Sequence, residues 1–405
     1  MKLYFDDVNY EGQLQRTVGK CDSGMANVGE CLYIASRVTP GDRDSWYREW
    51  SDFAGRLTEQ GDEAFASGHR VSARDCYLRA CEYFRQAFFW HRDDLDCEEL
   101  TTAYAASVSA FHKALPLLKC HATILEGDTP GYVFEPDGDG PFPTILHIGG
   151  YDGIAEELYS TAAYALDRGW AYVALDGPGT GEPLYGRHVP MRPDWEHVVS
   201  GMVDLVLQQP RIDAGRIVLV GRSFGGFTAP RAASGESRLA ALIVDPGQLD
   251  LAASIHQRLG ELADRIDDPS ADDAFEALRN DPALDAFFGP RIATHGVKGV
   301  REYVADMMRY SSREQVPLVA CPTFVADNET DVVSTGQGQM LYDALRCPKE
   351  FRCFLRSEGA EGHCEGMAAI VFWTAAFDWL ESTLSCARRS EDAGALAGRN
   401  GAASG

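Results

Sequence analysis

The chain has 405 residues, 45% of them hydrophobic and 24% charged, with a formal net charge of -24 at pH 7. Length and apolar content are sufficient for two or three domains' worth of buried core. The acidic balance argues against a nucleic-acid partner and an anionic membrane surface, both of which select basic patches. Eleven cysteines, an odd number with no Cys-x-x-Cys pair, read as free thiols of a reducing compartment. The opening Met1-Lys2-Leu3-Tyr4-Phe5-Asp6-Asp7 has no apolar signal core, and no run approaches a membrane span. A cytoplasmic location is the expectation.

From about Asp42 to Leu118 the chain reads as helical. Trp46, Trp50, Phe53 and Leu57 mark one apolar face, and Gly68 punctuates the pattern. A second helix carries Ala73, Tyr77, Ala80, Cys81 and Phe84. A third carries Leu100, Tyr104, Val108, Phe111 and Leu115, stopped by Pro116. From about Cys120, strands alternate with helices. The strands are Pro143–Ile148, Ala171–Leu175, Arg216–Val220, Leu239–Val244, Thr323–Ala326 and Phe351–Leu355, with a last helix near Met367–Leu384. Such alternation predicts an α/β class fold, a mostly parallel sheet covered on both faces. Between the fourth and fifth of these strands, Leu249 to Ser312 reads as a helical insertion, placed where lids occur. The predicted layout is a helical N-terminal, cap-like domain over 1–118, a core over 119–386 with the insertion at 249–312, and a disordered tail over 387–405.

Gly221-Arg222-Ser223-Phe224-Gly225 follows an apolar strand and precedes a helix, the context of a nucleophile elbow. Flanking glycines permit a sharp turn that lifts the Ser223 hydroxyl above the sheet edge. The N–H of Phe224 would then face a developing oxyanion. A serine hydroxyl needs a base and an orienter for that base. His363, in a glycine-bearing loop after the last strand, is the favoured base, and His147 is the runner-up. In Asp327-Asn328-Glu329-Thr330-Asp331, Asp331 is the favoured acid, Asp327 the alternative and Glu329 third. The second oxyanion donor is expected from the N–H of Gly150 or Tyr151, where two glycines allow close backbone approach. Asp152 is expected at the pocket mouth, binding a substrate hydroxyl or amine, or else capping the helix that follows. Gly177-Pro178-Gly179-Thr180-Gly181 lacks the Walker lysine and reads as a structural turn. His363-Cys364 has no second ligand pair at metal spacing, so no metal or other cofactor is expected.

Gly149-Gly150-Tyr151-Asp152, Asp176-Gly177-Pro178-Gly179-Thr180-Gly181-Glu182, Gly221-Arg222-Ser223-Phe224-Gly225-Gly226 and Glu361-Gly362-His363-Cys364 stand in this order. Together they resemble a branch of the α/β-hydrolase superfamily. That branch includes 2,6-dihydroxypseudooxynicotine hydrolase, the fungal yellowish-green heptaketide hydrolases and fermentation-respiration-switch-like proteins. The resemblance implies an α/β-hydrolase fold with a helical N-terminal region, and a triad of Ser223, Asp331 and His363. Several members cleave a carbon–carbon bond beside a ketone. Asp152 matches the place of a substrate-site glutamate of the family and is one methylene shorter.

These residues imply a serine hydrolase acting through an acyl-enzyme on a ketonic, aromatic or polyketide-derived small molecule. A carboxylesterase or lactonase would use the same triad, and a binding or regulatory protein on the same scaffold is the third reading. The expected partner is a small-molecule substrate, and a homodimer is left open. Phe88, Phe89, Trp90, Phe287, Phe288 and Tyr310 are candidates for aromatic contact with that substrate, as well as for ordinary packing.

Overall fold

The computed structural model describes residues 2–401, with side chains as far as Ser385. Helices α1 (Val8–Val18), α2 (Val28–Ala35), α3 (Arg43–Ala66), α4 (Arg70–Ala87) and α5 (Glu98–Ala114) come first. The last three match the helices predicted from periodicity. The first is set by Asp7, whose carboxylate accepts from the N–H groups of Asn9 and Tyr10 and caps the helix. Its buried side chains, Tyr10, Leu14 and Thr17, recur at spacings that place them on one face.

Eight strands follow: β1 (His121–Leu125), β2 (Gly131–Glu135), β3 (Phe142–Ile148), β4 (Ala171–Leu175), β5 (Ile212–Arg222), β6 (Leu239–Asp245), β7 (Thr323–Asn328) and β8 (Lys349–Phe354). Their order in one sheet is β1-β2-β4-β3-β5-β6-β7-β8. The strands from β4 to β8 pair in parallel, whereas β1 and β2 join the edge antiparallel. The helices that bear on the site are α6 (Ala155–Leu158), α7 (Trp195–Leu207), α8 (Gly225–Ala233), α9 (Leu251–Leu259), α10 (Pro282–His295), α11 (Val300–Met307) and α12 (Ala369–Gly401). The α12 helix runs into the stretch expected as a tail; residues 402–405 lie outside the described residues.

Strand alternation divides the sheet between two cores. Ile145, Val218, Val220 and Ile243 face a core that also holds Trp46, Trp50 and Phe111 of the N-terminal helices and Trp373 of α12. Leu146, Ile217, Leu219 and Leu242 face the other, with Val199 of α7, Phe227 of α8 and the insertion's Phe275 and Tyr303. The N-terminal helices therefore share one continuous core with the sheet. The insertion leaves and rejoins the core at a closed neck: Ser312 N donates to Leu249 O (2.9 Å) and Leu251 N to Tyr310 O (2.9 Å). Among the described residues all cysteines are free, and no helix is long and apolar enough to cross a membrane.

Candidate active site

β5 ends in the elbow. Ser223 has φ 58°, a left-handed value that costs a side-chain-bearing residue of the order of 1–3 kcal/mol. Packing compels the turn. A Cβ on Gly221 would fall 2.1 Å from Gly225 O, and one on Gly226 would fall 1.9 Å from Pro246 O, so only glycine fits at either place. Ser223 N is held by Asp245 O at 2.7 Å. Arg222 fastens the elbow to the loop after β8: its Nε donates to Asp245 Oδ2 (2.7 Å) and an Nη to Cys364 O (2.7 Å).

Ser223, His363 and Asp331 come together in one hydrogen-bonded chain. His363 Nε2 lies 2.8 Å from Ser223 Oγ, and His363 Nδ1 lies 2.9 Å from Asp331 Oδ2. Asp331 also accepts from Val333 N (2.7 Å) and Ser334 Oγ (2.7 Å). The two loops are tied independently, Gly362 N donating to Thr330 Oγ1 at 2.8 Å. Burial pushes the Asp331 carboxyl up, but its bonds to His363, Ser334 and Val333 hold it below the usual range. Burial opposes charge on His363; the neighbouring Cys364 and Asp331 outweigh it, and His363 sits well above an ordinary imidazole.

The other candidates for the acid and the base are placed elsewhere. Asp327 turns its carboxylate back onto its own strand end, Oδ1 accepting from Asn328 N at 2.8 Å. Glu329 accepts from the backbone N–H of Arg356. His147 is buried beneath the site, bonded through Nδ1 to Tyr172 Oη, and burial pushes its pKa down to about 3. The Gly177–Gly181 turn closes on itself, with Thr180 Oγ1 accepting from Gly177 N (2.9 Å) and donating to Gly177 O (3.0 Å).

The loop after β3 lies directly against the elbow. A Cβ on Gly150 would fall 2.8 Å from Ser223 Oγ and 3.0 Å from Phe224 N, so this glycine admits the close approach. Among the described residues, neither Phe224 N nor Tyr151 N donates to a backbone acceptor, which leaves both free for an oxyanion. The Tyr151 side chain turns away towards the insertion. Its ring packs on Phe224 at 4.1 Å between centroids, and its Oη lies 2.7 Å from His295 Nε2. His295 Nδ1 meets Asp306 Oδ2 at 2.7 Å.

Asp152 does not cap the following helix, whose N-cap position is Ile154. Its carboxylate is taken by Arg16 of α1 at 2.7 Å. Arg16 also grips Glu157 of α6, through Nε (2.8 Å) and Nη (2.7 Å). Behind it Lys20 bridges Glu157 (2.5 Å) and Glu82 (2.6 Å), and Arg85 binds Glu82 at 2.8 Å. Three cations thus neutralise three carboxylates. Burial would raise the Asp152 and Glu157 carboxyls, yet the surrounding arginines hold both well below the ordinary range.

A cavity of about 320 Å³ opens beside Ser223 and His363, walled by Gln13 and Arg16 of α1, by Lys20 just beyond it and by Asp152. Periodicity from Asp42 onward did not reach α1; the signal was there in Asp7 as cap and in Tyr10, Leu14 and Thr17. The six aromatic candidates do not line this cavity. Phe88 packs on Tyr104 and Tyr185, Trp90 stacks on Tyr10, and Phe288 meets Tyr303. Phe89 meets Trp90, Phe287 meets Phe288 and Arg291, and Tyr310 packs on Phe224 and Phe227, so all six take part in packing.

The model of the family described as esterase FrsA-like matches residues 38–265, more than half of the chain. The chain belongs to the FrsA-like esterase family. Hydrolase acrC of Aspergillus aculeatus is 30% identical over 429 residues, covering 96% of this chain and 99% of that protein. The 20-hydroxy-prefusarin hydrolase FUS2 of Gibberella moniliformis is 37% identical over 261 residues, covering 61% of this chain and 62% of its own. The solved structure of 2,6-dihydroxy-pseudo-oxynicotine hydrolase superposes with a TM-score of 0.71 at 24% identity, over 91% of this chain and 96% of that one. AbyA5 superposes with a TM-score of 0.64 at 16% identity, over 93% and 95%. This FrsA-like protein is accordingly a hydrolase of the α/β-hydrolase fold, with an all-helical N-terminal region preceding its sheet.

Proposed function

We propose that this hydrolase uses Ser223 as nucleophile, His363 as general base and acid, and Asp331 as the orienting carboxylate. The observation that carries the reading is the unbroken chain Ser223 Oγ–His363 Nε2 and His363 Nδ1–Asp331, at 2.8 and 2.9 Å. His363 takes the hydroxyl proton while Ser223 Oγ bonds to the substrate carbonyl carbon. The carbonyl pair becomes an oxyanion, received by the N–H groups of Phe224 and Tyr151. Collapse breaks the bond to the leaving group, His363 Nε2–H protonates that group, and an acyl-enzyme remains. Water, deprotonated by His363, then releases the acid and restores Ser223.

The bond we assign is a carbon–carbon bond beside a ketone, in an aromatic or polyketide-derived small molecule. The electron pair then leaves on carbon as a stabilised enolate that His363 protonates. The four ordered motifs, shared with a branch several of whose members cleave such a bond, support this choice. The description of the family as esterase favours a second reading, hydrolysis of a carboxylic ester by the same steps.

Turnover of aryl 1,3-diketones against that of simple aryl esters separates the two. Cleavage of the diketone to an acid and a methyl ketone is expected; rapid ester turnover with inert diketones would establish the ester reading instead. Labelling by a fluorophosphonate is expected at Ser223. An unlabelled native protein would favour a binding role on a hydrolase scaffold.

A further inference from the structure

We propose that His91, Cys97, Glu99 and Asp44 form a site for one divalent metal ion of the zinc class, remote from the reaction. A ring nitrogen of His91, the Cys97 Sγ and a Glu99 carboxylate oxygen lie within 4.8 Å of one another. His91 is only 3% exposed, yet its Nε2 has no hydrogen-bond partner. A buried polar nitrogen without a partner costs free energy, and a bound ion removes that cost. Asp44 Oδ1, exposed and outside that three-donor cluster, lies 3.8 Å from this same Nε2 and would join the set by turning its side chain inward.

The donor chemistry is that of zinc, which takes imidazole, thiolate and carboxylate together in four-coordinate sites. Three chain segments supply it. His91 ends the turn after α4, Cys97 stands at the N-cap of α5 with Glu99 in its first turn, and Asp44 lies in the first turn of α3. On binding, the Cys97 S–H proton passes to solvent and the sulfur–metal bond replaces the present 3.5 Å contact from Sγ to His91 O. One negative charge then remains on the donor set, beside Arg43. None of the four residues lines the cavity at Ser223, so the ion would clip α3, α4 and α5 together and take no part in hydrolysis.

The test uses the full chain, reduced and stripped with chelator, then titrated with cobalt(II) alone. One equivalent is expected, with tetrahedral ligand-field bands and a thiolate-to-cobalt charge-transfer band, all removed by added zinc. Cys97→Ser is expected to lose the charge-transfer band, and Glu99→Gln to weaken binding by roughly tenfold or more. Fluorophosphonate labelling of Ser223 at an unchanged rate marks both variants as folded. Binding far below one equivalent, or a charge-transfer band that survives in Cys97→Ser, would overturn the site.

Discussion

The two regions that flank the elbow are built from opposite materials. On one side α1 and the turn after it offer Arg16 and Lys20 to Asp152 and Glu157, a set of ion pairs that runs from the buried Lys20–Glu157 pair to the half-buried Arg16–Asp152 pair on the cavity wall. On the other, the insertion meets the elbow through rings: Phe224 and Phe227 pack on Tyr310, and Tyr151 on Phe224. A single polar chain, Tyr151–His295–Asp306, crosses that apolar contact. The difference separates two tasks. The charged side holds the polypeptide around the oxyanion loop in one arrangement, since an ion pair removed from water tolerates little displacement. The ring side excludes water and adapts to shape. The proposed chemistry runs between them.

The comparison can be broken at its centre first. Ser223→Ala is expected to lower kcat on any accepted substrate by on the order of 10⁴-fold or more, with the fold intact by circular dichroism. Asp331→Asn is expected to cost about 10⁴-fold, whereas Asp327→Asn leaves the rate nearly unchanged. The reverse result would move the acid to Asp327. The pH profile sharpens the same point. Catalysis needs neutral His363, and its pKa is raised, so kcat/KM falls as pH drops through that raised value. Removing the Asp331 carboxylate takes away part of the cause, and the acid limb should move to lower pH.

On the charged side, Arg16→Met leaves Asp152 and Glu157 without their shared partner and is expected to cost about 3 kcal/mol in denaturant unfolding. Both carboxyls are depressed in the folded chain, so the stability they contribute is present above the unfolded carboxylate pKa and is lost as pH falls through the acid range. Acid unfolding of Arg16→Met should therefore depend less steeply on pH than that of the parent. The smallest effect belongs to the ring side. Tyr151→Phe removes the phenol's bonds to the buried His295 imidazole and to Met307 Sδ and is expected to cost about 1 kcal/mol, with hydrolysis largely kept because the proposed oxyanion donor is its backbone N–H. A large loss of kcat in this variant would give the phenol a chemical role and erase the distinction between the two sides.

The elbow and the meeting of Ser223 with His363 and Asp331 were legible from sequence because strain leaves a signature. A left-handed serine demands glycines at fixed offsets, and the sheet order then places the loops after β7 and β8 above it. Periodicity likewise marked α3, α4 and α5, whose apolar faces repeat over many turns. The Arg16 network was not legible. An arginine at position 16 and carboxylates at 152, 157 and 82 carry no spacing rule, because tertiary packing alone joins them. The aromatic residues kept two readings open for a related reason: a Phe or Trp in a helical run has the same sequence character whether it meets a ligand or another ring.

The neck of the insertion carries a consequence of its own. Ser312 N and Leu249 O close the excursion at its base, so the sheet experiences the whole of 249–312 as one short crossing between β6 and β7. Whatever grows beyond that crossing is insulated from strand register. Exchanging the segment at Leu249 and Ser312 with the corresponding segment of a relative should therefore leave Ser223, His363 and Asp331 in place, and, because no residue of 249–312 walls the cavity beside Ser223, should alter stability more than turnover. A backbone bond 2.9 Å long thus lets sixty-odd residues vary at the rim while the two strands they join keep their places.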